Sequence, residues 1–318
     1  MTDTSALAPT GVVGRFAPTP SGRMHLGNIL CALAAWLSVR KQQGTMVLRI
    51  EDLDAGRCAF GEQIELLKHD LEWLGLTWDK GGEEEGYQSN RFPIYEIYFD
   101  TLKERGLLYP CYCSRAELHA ATAPHGSDGQ VLYDGKCRER FLRGEAPPEG
   151  RRPAYRVIVP DETVTFTDRI QGEYREHLKS ECTDFVVRRS DGVYAYQLAV
   201  VIDDGLTGVT EIVRGRDLLS STPRQIWLYR TFGMRVPQFA HIPLLLAPDG
   251  RRLSKRDGDL DIGALEKKLG TPEPIIGLLG YLLGLIDRPD PITAEALVPY
   301  FDFDKIPKND ICLCDMGW

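Results

Sequence analysis

The sequence predicts an α/β protein with a doubly wound, Rossmann-like parallel sheet, an inserted and partly antiparallel subdomain, and a short helical region at the end. Two observations support this fold class. A strand, an amphipathic helix and a second strand follow one another within about 40 residues, which is the pattern of a right-handed parallel crossover. The same alternation resumes after residue 210, behind a long stretch of short β-like runs separated by turn residues.

The first three elements form the crossover. The apolar run VVGRF (12–16) is typical of a buried strand, and from His25 to about Lys41 leucine and isoleucine recur at helical spacing. MVLRIED (46–52) is predicted as the second strand. In such sheets ligands bind beyond the carboxyl ends of the strands, where the stretch RFAPTPSGRMHLGN (15–28) and Glu51 are both expected.

Two amphipathic helices are expected next, one carrying Ile64 to Leu74 and one carrying Phe92 to Leu102. An insertion then begins at Tyr109, with four β-like runs that we interpret as mostly antiparallel strands: AYRVIV, VTFTD, DFVVRR and VYAYQLAVVID. A turn at Ser190-Asp191-Gly192 separates the last pair. The strand TEIVRG, a helix over about 222–232 and short helices beyond Ile262 complete the chain.

The bulk composition narrows the functional classes. The chain has 318 residues and a formal net charge of −8, so a nucleic-acid partner would need a local basic face rather than a uniformly basic surface. No run of about 18 apolar residues and no signal-peptide pattern is present, so we expect a cytoplasmic protein without a membrane span. The eight cysteines are expected to be free thiols or metal ligands rather than a disulfide framework.

The stretch RFAPTPSGRMHLGN has the composition of an anion-binding turn. A helix N-terminus presents unpaired N–H groups and a partial positive charge, and His25 and Asn28 would add donors there. Gly27 allows a ligand to approach the backbone, while Pro18 and Pro20 stiffen the turn. The alternative is an ordinary Pro/Gly loop before a helix.

A second loop, APDGRRLSKRDGD (247–259), carries Ser254 and Lys255 among further basic residues. A flexible basic loop of this kind can close over the β- and γ-phosphates of a nucleotide. The alternative is a solvated charged loop.

A cysteine cluster suggests a metal site. CYC (111–113) and YDGKC, which ends at Cys137, supply three thiolates, and a tetrahedral zinc site needs a fourth ligand. The nearby candidates are His119, His125, Asp128 and Tyr133; by frequency alone histidine is favoured. The alternative is three ordinary cysteines. The isolated pair Cys312 and Cys314 is interpreted as structural or free.

Taken together, five segments resemble the glutamyl-tRNA synthetase family of class I over roughly the first 260 residues: RFAPTPSGRMHLGN, LRIEDLD, VYAYQLAVVIDD, EIVRGRDLLSSTPRQ and RRLSKRDGD. HLGN and LSKR are similar to the paired "HIGH" and "KMSKS" motifs of that class. The resemblance implies a glutamate pocket formed by Arg15, Phe16, Ala17, Pro18, Thr19, Glu51, Tyr196 and Arg214. It also implies that ATP, with Mg²⁺, is bound by His25, Gly27, Asn28 and Lys255.

This resemblance implies a chemistry without a general base. The carboxylate of L-glutamate is already ionised and attacks the α-phosphate of ATP, so the enzyme positions the reactants and neutralises charge. His25 and Asn28 would act at the α-phosphate and Lys255 at the leaving pyrophosphate, and the product would be glutamyl-adenylate.

Two features are similar to one group of shortened paralogues, the glutamyl-queuosine tRNA(Asp) synthetases. Tyr133 stands four residues before Cys137 and matches the group's zinc ligands Cys-x-Cys and Tyr-x3-Cys, which implies Cys111, Cys113, Tyr133 and Cys137 around a structural Zn²⁺. Only about 60 residues follow Lys255, which we expect to be too few for a helical anticodon-binding region. The resemblance implies that glutamate goes to queuosine in the anticodon of tRNA(Asp).

Arginines between 138 and 152 could then contribute a modest basic patch for the anticodon stem-loop, although a solvated charged loop is an equal alternative. Two other functions stay open: a truncated glutamyl-tRNA synthetase that charges the tRNA 3′ end, and a non-catalytic tRNA-binding paralogue. We expect four segments: the first half of the catalytic domain (1–108), an inserted zinc-binding subdomain (109–195), the second half with the lysine loop (196–260), and a short helical region without an anticodon-binding domain (261–318).

Overall fold

The fold was examined in a computed structural model that describes residues 11–54, 61–118, 132–251, 253 and 261–313. Its strands are β1 (Val13–Phe16), β2 (Thr45–Leu48), β3 (Lys80–Gly81), β4 (Leu108–Cys111), β5 (Ala154–Val157), β6 (Thr163–Asp168), β7 (Gly172–His177), β8 (Val186–Arg188), β9 (Glu211–Gly215), β10 (Gln238–Ile242), β11 (Leu245–Leu246) and β12 (Ile311–Cys312). Its α-helices are α1 (Leu26–Lys41), α2 (Glu62–Trp73), α3 (Phe92–Glu104), α4 (Arg115–Leu118), α5 (Lys136–Leu142), α6 (Tyr196–Leu206), α7 (Thr222–Thr231), α8 (Ile262–Leu269), α9 (Glu273–Leu282) and α10 (Ala294–Leu297).

The predicted parallel α/β core is confirmed. β1 pairs with β2 and β2 with β3, all parallel, and β9 pairs with β10 in the same sense. The backbone N–H of Thr210 donates to the carbonyl of Val13 (2.8 Å), which sets β9 beside β1. The chain therefore leaves β1 towards β2 on one side and returns to β9 on the other, and the gap between β1 and β9 is the topological switch point where ligands bind in such sheets.

Helix α1 is the central helix of this core. It contacts β1, β2 and β9 on one side and α9 and α10 on the other, so most of its side chains are buried. Gly14 in β1 permits this close packing, because a Cβ there would overlap the side chain of Val39. The helix begins as the apolar spacing predicts, with His25 at the N-cap.

The strands between residues 108 and 188 pair antiparallel, as predicted for the insertion. β4, β5 and β8 form one sheet in that order, and β6 and β7 form a hairpin in which Thr163 lies opposite His177. The hairpin contacts β10, since the N–H of Arg169 donates to the carbonyl of Phe239 (2.9 Å). Strands β4 and β7 of the insertion, and β3 and β10 outside it, were not predicted from the sequence.

One predicted strand is wrong. VYAYQLAVVID contains most of helix α6, which begins at Tyr196, although the turn before it is present and brings Tyr194 opposite Arg188. The residues from Leu198 to Asp204 are all buried. A helix buried on every side shows no 3.6-residue period, so its valines and isoleucines look like a buried strand.

The C-terminal region contains the expected short helices α8 to α10, and in addition β12, which pairs parallel with β11. Cys312, which the sequence analysis interpreted as structural or free, is disulfide-bonded; Cys314 lies outside the described residues. Among the described helices, none has both the length and the apolar composition that crossing a membrane requires.

Candidate active site

A cleft of about 780 Å³ opens at the carboxyl ends of β1 and β9. It brings together every described residue that the sequence assigned to glutamate or ATP: Arg15, Phe16, Ala17, Pro18, Thr19, His25, Gly27, Asn28, Glu51, Tyr196 and Arg214. Lys255 lies outside the described residues. The ends of its loop meet this cleft, because Leu253 lines it and Asp261 pairs with His25 through a backbone bridge.

His25 and Asn28 cap helix α1 reciprocally. The N–H of Gly27 donates to Nδ1 of His25 (3.1 Å), and the N–H of His25 donates to Oδ1 of Asn28 (3.3 Å). Since Nδ1 accepts a hydrogen bond, the proton of the neutral imidazole is on Nε2. The N–H groups of Gly27, Asn28 and Ile29 are thus satisfied within the cap, and this end of the helix presents the positive end of its dipole and the side chains of His25 and Asn28 to the cleft.

The floor of the cleft contains a buried ionic network that the sequence did not predict. Arg49 donates to Oδ1 of Asp204 (2.5 Å) and to Oε1 of Glu51 (3.0 Å), and Nε of Arg15 lies 3.5 Å from the same Asp204 oxygen. Next to Asp204, the carboxylate of Asp203 accepts hydrogen bonds from Gln88, Arg91 and Tyr95. The two aspartates thus fix the arginines beneath the cleft.

Burial sets the ionisation of this network. Burial opposes ionisation of Asp204, but Arg49 and Arg15 outweigh it and hold the pKa of this carboxyl below its usual range. Burial raises the pKa of Glu51, with Arg49 opposing the shift, and it raises the pKa of Tyr196, whose hydroxyl therefore stays protonated. The cleft therefore presents the carboxyl group of Glu51, the neutral hydroxyl of Tyr196 and the guanidinium groups of the arginines.

Three arginines of the cleft have a buried nitrogen without a hydrogen-bond partner among the described residues: Arg15 at Nε, Arg23 at Nε and Arg214 at Nη1. The Nη2 of Arg23 pairs with Asp70 and Glu266.

Burial lowers the pKa of Arg214, Tyr196 opposes this shift, and nearby Arg15 lowers the pKa further. Nε of Arg15 still lies 3.5 Å from Asp204, whereas Arg214 pairs with no carboxylate among the described residues. A buried cationic donor without a partner costs free energy, so Nη1 of Arg214 suits an anion such as a carboxylate.

The three predicted cysteine ligands also lie together, outside the cleft. The Sγ atoms of Cys111, Cys113 and Cys137 are all within 4.8 Å of one another, and Cys113 and Cys137 are separated by 3.5 Å. Three thiolates on one tetrahedral zinc would stand about 3.8 Å apart. The hydroxyl of Tyr133 accepts a hydrogen bond from the N–H of Cys137 (2.7 Å), which places the phenol oxygen beside this cluster.

The other candidates for the fourth ligand, His119, His125 and Asp128, lie outside the described residues.

The arginines proposed as a basic patch are partly neutralised: Arg140 and Arg143 both pair with Glu145, and Arg151 lies 3.8 Å from Glu117.

Comparison with known proteins identifies relatives over most of the chain. Residues 11–287 match the family model of the catalytic domain of class I tRNA synthetases (E and Q). The chain is 49% identical to the glutamyl-Q tRNA(Asp) synthetase of Symbiobacterium thermophilum over 311 residues, covering 94% of each protein. It is 43% identical to the protein of the same name from Neisseria meningitidis, over 94% of this chain and 98% of that one.

Among solved structures, the fold is similar to a glutamate tRNA ligase from Elizabethkingia meningosepticum crystallised with its amino acid. The TM-score is 0.74 at 25% identity, and the match covers 95% of this chain and 67% of the ligase.

Proposed function

The chain belongs to the family of class I tRNA synthetases for glutamate and glutamine, and from this premise we propose that it is an ATP-dependent ligase for L-glutamate. It activates glutamate to glutamyl-adenylate and transfers it to queuosine in the anticodon of tRNA(Asp). The names of the relatives that match over almost their full length support this acceptor. The observation that carries glutamate as the substrate is buried Arg214, which has an unsatisfied Nη1 and no carboxylate partner among the described residues, in one cleft with Glu51.

The charges of the cleft suit an amino acid with two carboxylates. Arg214 pairs with no carboxylate among the described residues and would bind one carboxylate of glutamate, while Arg15 would attract the other. Glu51 would accept hydrogen bonds from the substrate ammonium group, and the protonated hydroxyl of Tyr196 would donate beside it. Phe16, Ala17, Pro18 and Thr19 would form the wall between this pocket and the ATP site.

Activation would take place at the N-terminus of α1. An oxygen of the glutamate α-carboxylate attacks the α-phosphorus of ATP, and pyrophosphate leaves with the electron pair of the bridging oxygen. The Nε2 hydrogen of His25, the side-chain amide of Asn28 and the positive end of the α1 dipole would stabilise charge on the α-phosphate. Lys255, two residues after Leu253, would hold the leaving pyrophosphate. Mg²⁺ bound with ATP would neutralise charge on the phosphates.

In the transfer step, a hydroxyl of queuosine attacks the carbonyl carbon of the adenylate. The bond from this carbon to the phosphate oxygen breaks, AMP leaves, and the hydroxyl proton passes to solvent. No residue of the chain needs to form a covalent intermediate with glutamate.

We also propose that Cys111, Cys113, Tyr133 and Cys137 hold a structural zinc ion. The spacing of the three sulphurs and the phenol oxygen beside them support this ligand set. The ion would join β4, which carries Cys111, to α5, which carries Cys137, and so stabilise a small subdomain whose own apolar core is limited to a few residues.

The proposed function is tested by ATP–pyrophosphate exchange with glutamate in the absence of RNA, followed by transfer of labelled glutamate to tRNA(Asp) with and without queuosine. We expect exchange without RNA and labelling only of the queuosine-containing tRNA. Exchange that requires the glutamate-accepting tRNA would indicate a truncated glutamyl-tRNA synthetase. No exchange under any condition would indicate a non-catalytic tRNA-binding protein.

A further inference from the structure

Behind the cleft, three buried polar side chains form a chain of hydrogen bonds that ends at Arg214. His241 in β10 donates through Nδ1 to Oδ2 of Asp168 (2.5 Å), and Nε of Arg214 donates to Nε2 of His241 (3.0 Å). The exposed fractions of His241, Asp168 and Arg214 are 0%, 2% and 5%. Three polar groups this deeply buried are costly unless their hydrogen bonds serve the structure or the site.

Asp168 fixes which nitrogen of His241 carries the proton. Its other oxygen, Oδ1, accepts the backbone N–H groups of Ile170 (3.0 Å), Gln171 (2.9 Å) and His241 itself (3.1 Å). A carboxylate with this many donors stays ionised and has no proton to give, so the hydrogen must lie on Nδ1 of the imidazole. The lone pair of Nε2 then accepts from Nε of Arg214 (3.0 Å), and Oγ1 of Thr222 lies slightly farther from it, at 3.2 Å.

His241 is also neutral. Burial lowers its pKa from 6.5 to about 4, and the hydrogen bond from Nδ1 to Asp168 opposes this shift. Arg214 is therefore held at Nε by an uncharged acceptor. A carboxylate in the same place would neutralise the guanidinium and reduce its attraction for a substrate anion.

The other nitrogens of Arg214 complete the orientation. Nη2 donates to Oγ1 of Thr222 (2.8 Å) and lies 3.3 Å from the carbonyl of Leu218, while Nη1 has no partner among the described residues. The planar guanidinium thus has two of its three nitrogens anchored behind the cleft and the third unsatisfied. Its orientation cannot change without breaking the bond to His241.

We propose that His241 is a positioning residue that aims Arg214 at a carboxylate of the amino-acid substrate, with Asp168 selecting its tautomer. The proposal rests on glutamate as the substrate of this cleft. It links the β6–β7 hairpin, which carries Asp168 and lies in the insertion, to substrate binding in the parallel core. Neither His241 nor Asp168 is among the cleft-lining residues, so both act through Arg214.

Two replacements of His241 separate the two hydrogen bonds. In His241→Asn the amide nitrogen takes the place of Nδ1 and keeps the bond to Asp168, but no acceptor remains for Arg214. In His241→Gln the side-chain oxygen reaches the place of Nε2 and accepts from Arg214, while the bond to Asp168 is lost. RNA-free ATP–pyrophosphate exchange then gives KM for glutamate, KM for ATP and kcat, and a thermal melt monitors folding.

We expect His241→Asn to raise KM for glutamate about tenfold, with KM for ATP and kcat changed by less than about threefold, because one hydrogen bond to a charged group is lost. His241→Gln restores KM for glutamate to near wild type even where its melting temperature is lower. In a background of Arg214→Lys, His241→Asn has no further effect on KM. Asp168→Asn, which keeps the shape but moves the imidazole proton to Nε2 opposite Arg214, raises KM for glutamate as well.

A wild-type KM for glutamate in His241→Asn, or equal changes in the Asn and Gln variants, would overturn the proposal while the proposed function stands. If His241→Asn does not fold, the other two variants decide. The proposal requires Asp168→Asn to raise KM for glutamate and His241→Gln to leave it unchanged. Absence of glutamate-dependent exchange by the wild-type protein would refute the proposed function and this role together.

Discussion

Replacing Glu51 by Gln is expected to weaken glutamate activation about 10- to 150-fold through KM, with little effect on the fold. The substrate ammonium group would lose a charged acceptor, and a hydrogen bond to a charged group contributes about 1.5–3 kcal/mol, or about one to two powers of ten in affinity. Gln has the same shape as Glu, so the cleft keeps its volume.

The structure explains why the fold should tolerate this change. Breaking a buried ion pair usually costs about 3–5 kcal/mol because the remaining charge is uncompensated. Here Arg49, which donates to Glu51, also donates to Asp204 (2.5 Å) and lies 3.9 Å from Asp203, so its charge stays compensated. Burial raises the pKa of Glu51, which means that its ionised form is itself costly in the fold.

The assay is RNA-free ATP–pyrophosphate exchange with varied glutamate, beside a thermal melt. Glu65→Gln is the matched control, since Glu65 lies on α2 with 72% of its side chain exposed and pairs only with Lys68 in the described structure. We expect no change in the control. An unchanged KM for glutamate in Glu51→Gln, with a lower melting temperature, would show that Glu51 is structural and refute its assignment to the substrate ammonium.

Three further predictions concern zinc, the lysine loop and pH. Cys111→Ser should lose most of the one zinc ion per chain that elemental analysis is expected to find, whereas Cys182→Ser, at a buried position outside the cluster, should keep it; a well-folded wild-type protein without zinc would contradict the site. Lys255→Ala should lower kcat of exchange about 10²- to 10³-fold without changing KM for glutamate, and exposed Lys268→Ala should change neither; unchanged exchange in Lys255→Ala would remove that residue from the site. Burial lowers the pKa of His241 from 6.5 to about 4, so on acidification its imidazole is protonated in the unfolded chain before it is protonated in the folded protein. The free energy of unfolding should therefore fall by about 3 kcal/mol as the pH drops from 6.5 to about 4. Urea unfolding at pH 7 and 4.5 should show a smaller loss of unfolding free energy for His241→Asn than for the wild type; equal losses in the two proteins would contradict the lowered pKa of His241.

The first crossover and the meeting of the Pro/Gly turn with Glu51 could be predicted because their signals are local, whereas Tyr196 and Arg214 were implied only by the family resemblance. The apolar run before Arg15, the helical spacing after His25 and the strand that ends at Glu51 lie within one stretch of sequence. The rule that ligands bind at the carboxyl ends of parallel strands then places the Pro/Gly turn and Glu51 together. The structure confirms this placement, while the chemical roles of the residues stay predictions.

The residues behind the cleft could not be predicted, because their partners are distant in sequence. Asp204 meets Arg49 across 155 residues, and His241 meets Asp168 across 73. Asp203 and Asp204 follow an apolar run and look like the polar end of a strand, although both are fully buried in α6. The one available signal was His241 itself, a single histidine within the apolar run QFAHIPLLL, which by residue type is more often an ordinary core histidine.

The most direct test of the account is to locate labelled glutamate on the RNA. Purified tRNA(Asp) containing queuosine is incubated with the protein, ATP and labelled glutamate, then cleaved so that the anticodon fragment and the 3′ fragment can be counted separately. A tRNA(Asp) without queuosine and a queuosine-containing tRNA(Asp) that lacks its terminal adenosine serve as controls. We predict label in the anticodon fragment, none without queuosine, and full labelling without the terminal adenosine. Label at the 3′ end, or labelling independent of queuosine, would contradict the proposed acceptor.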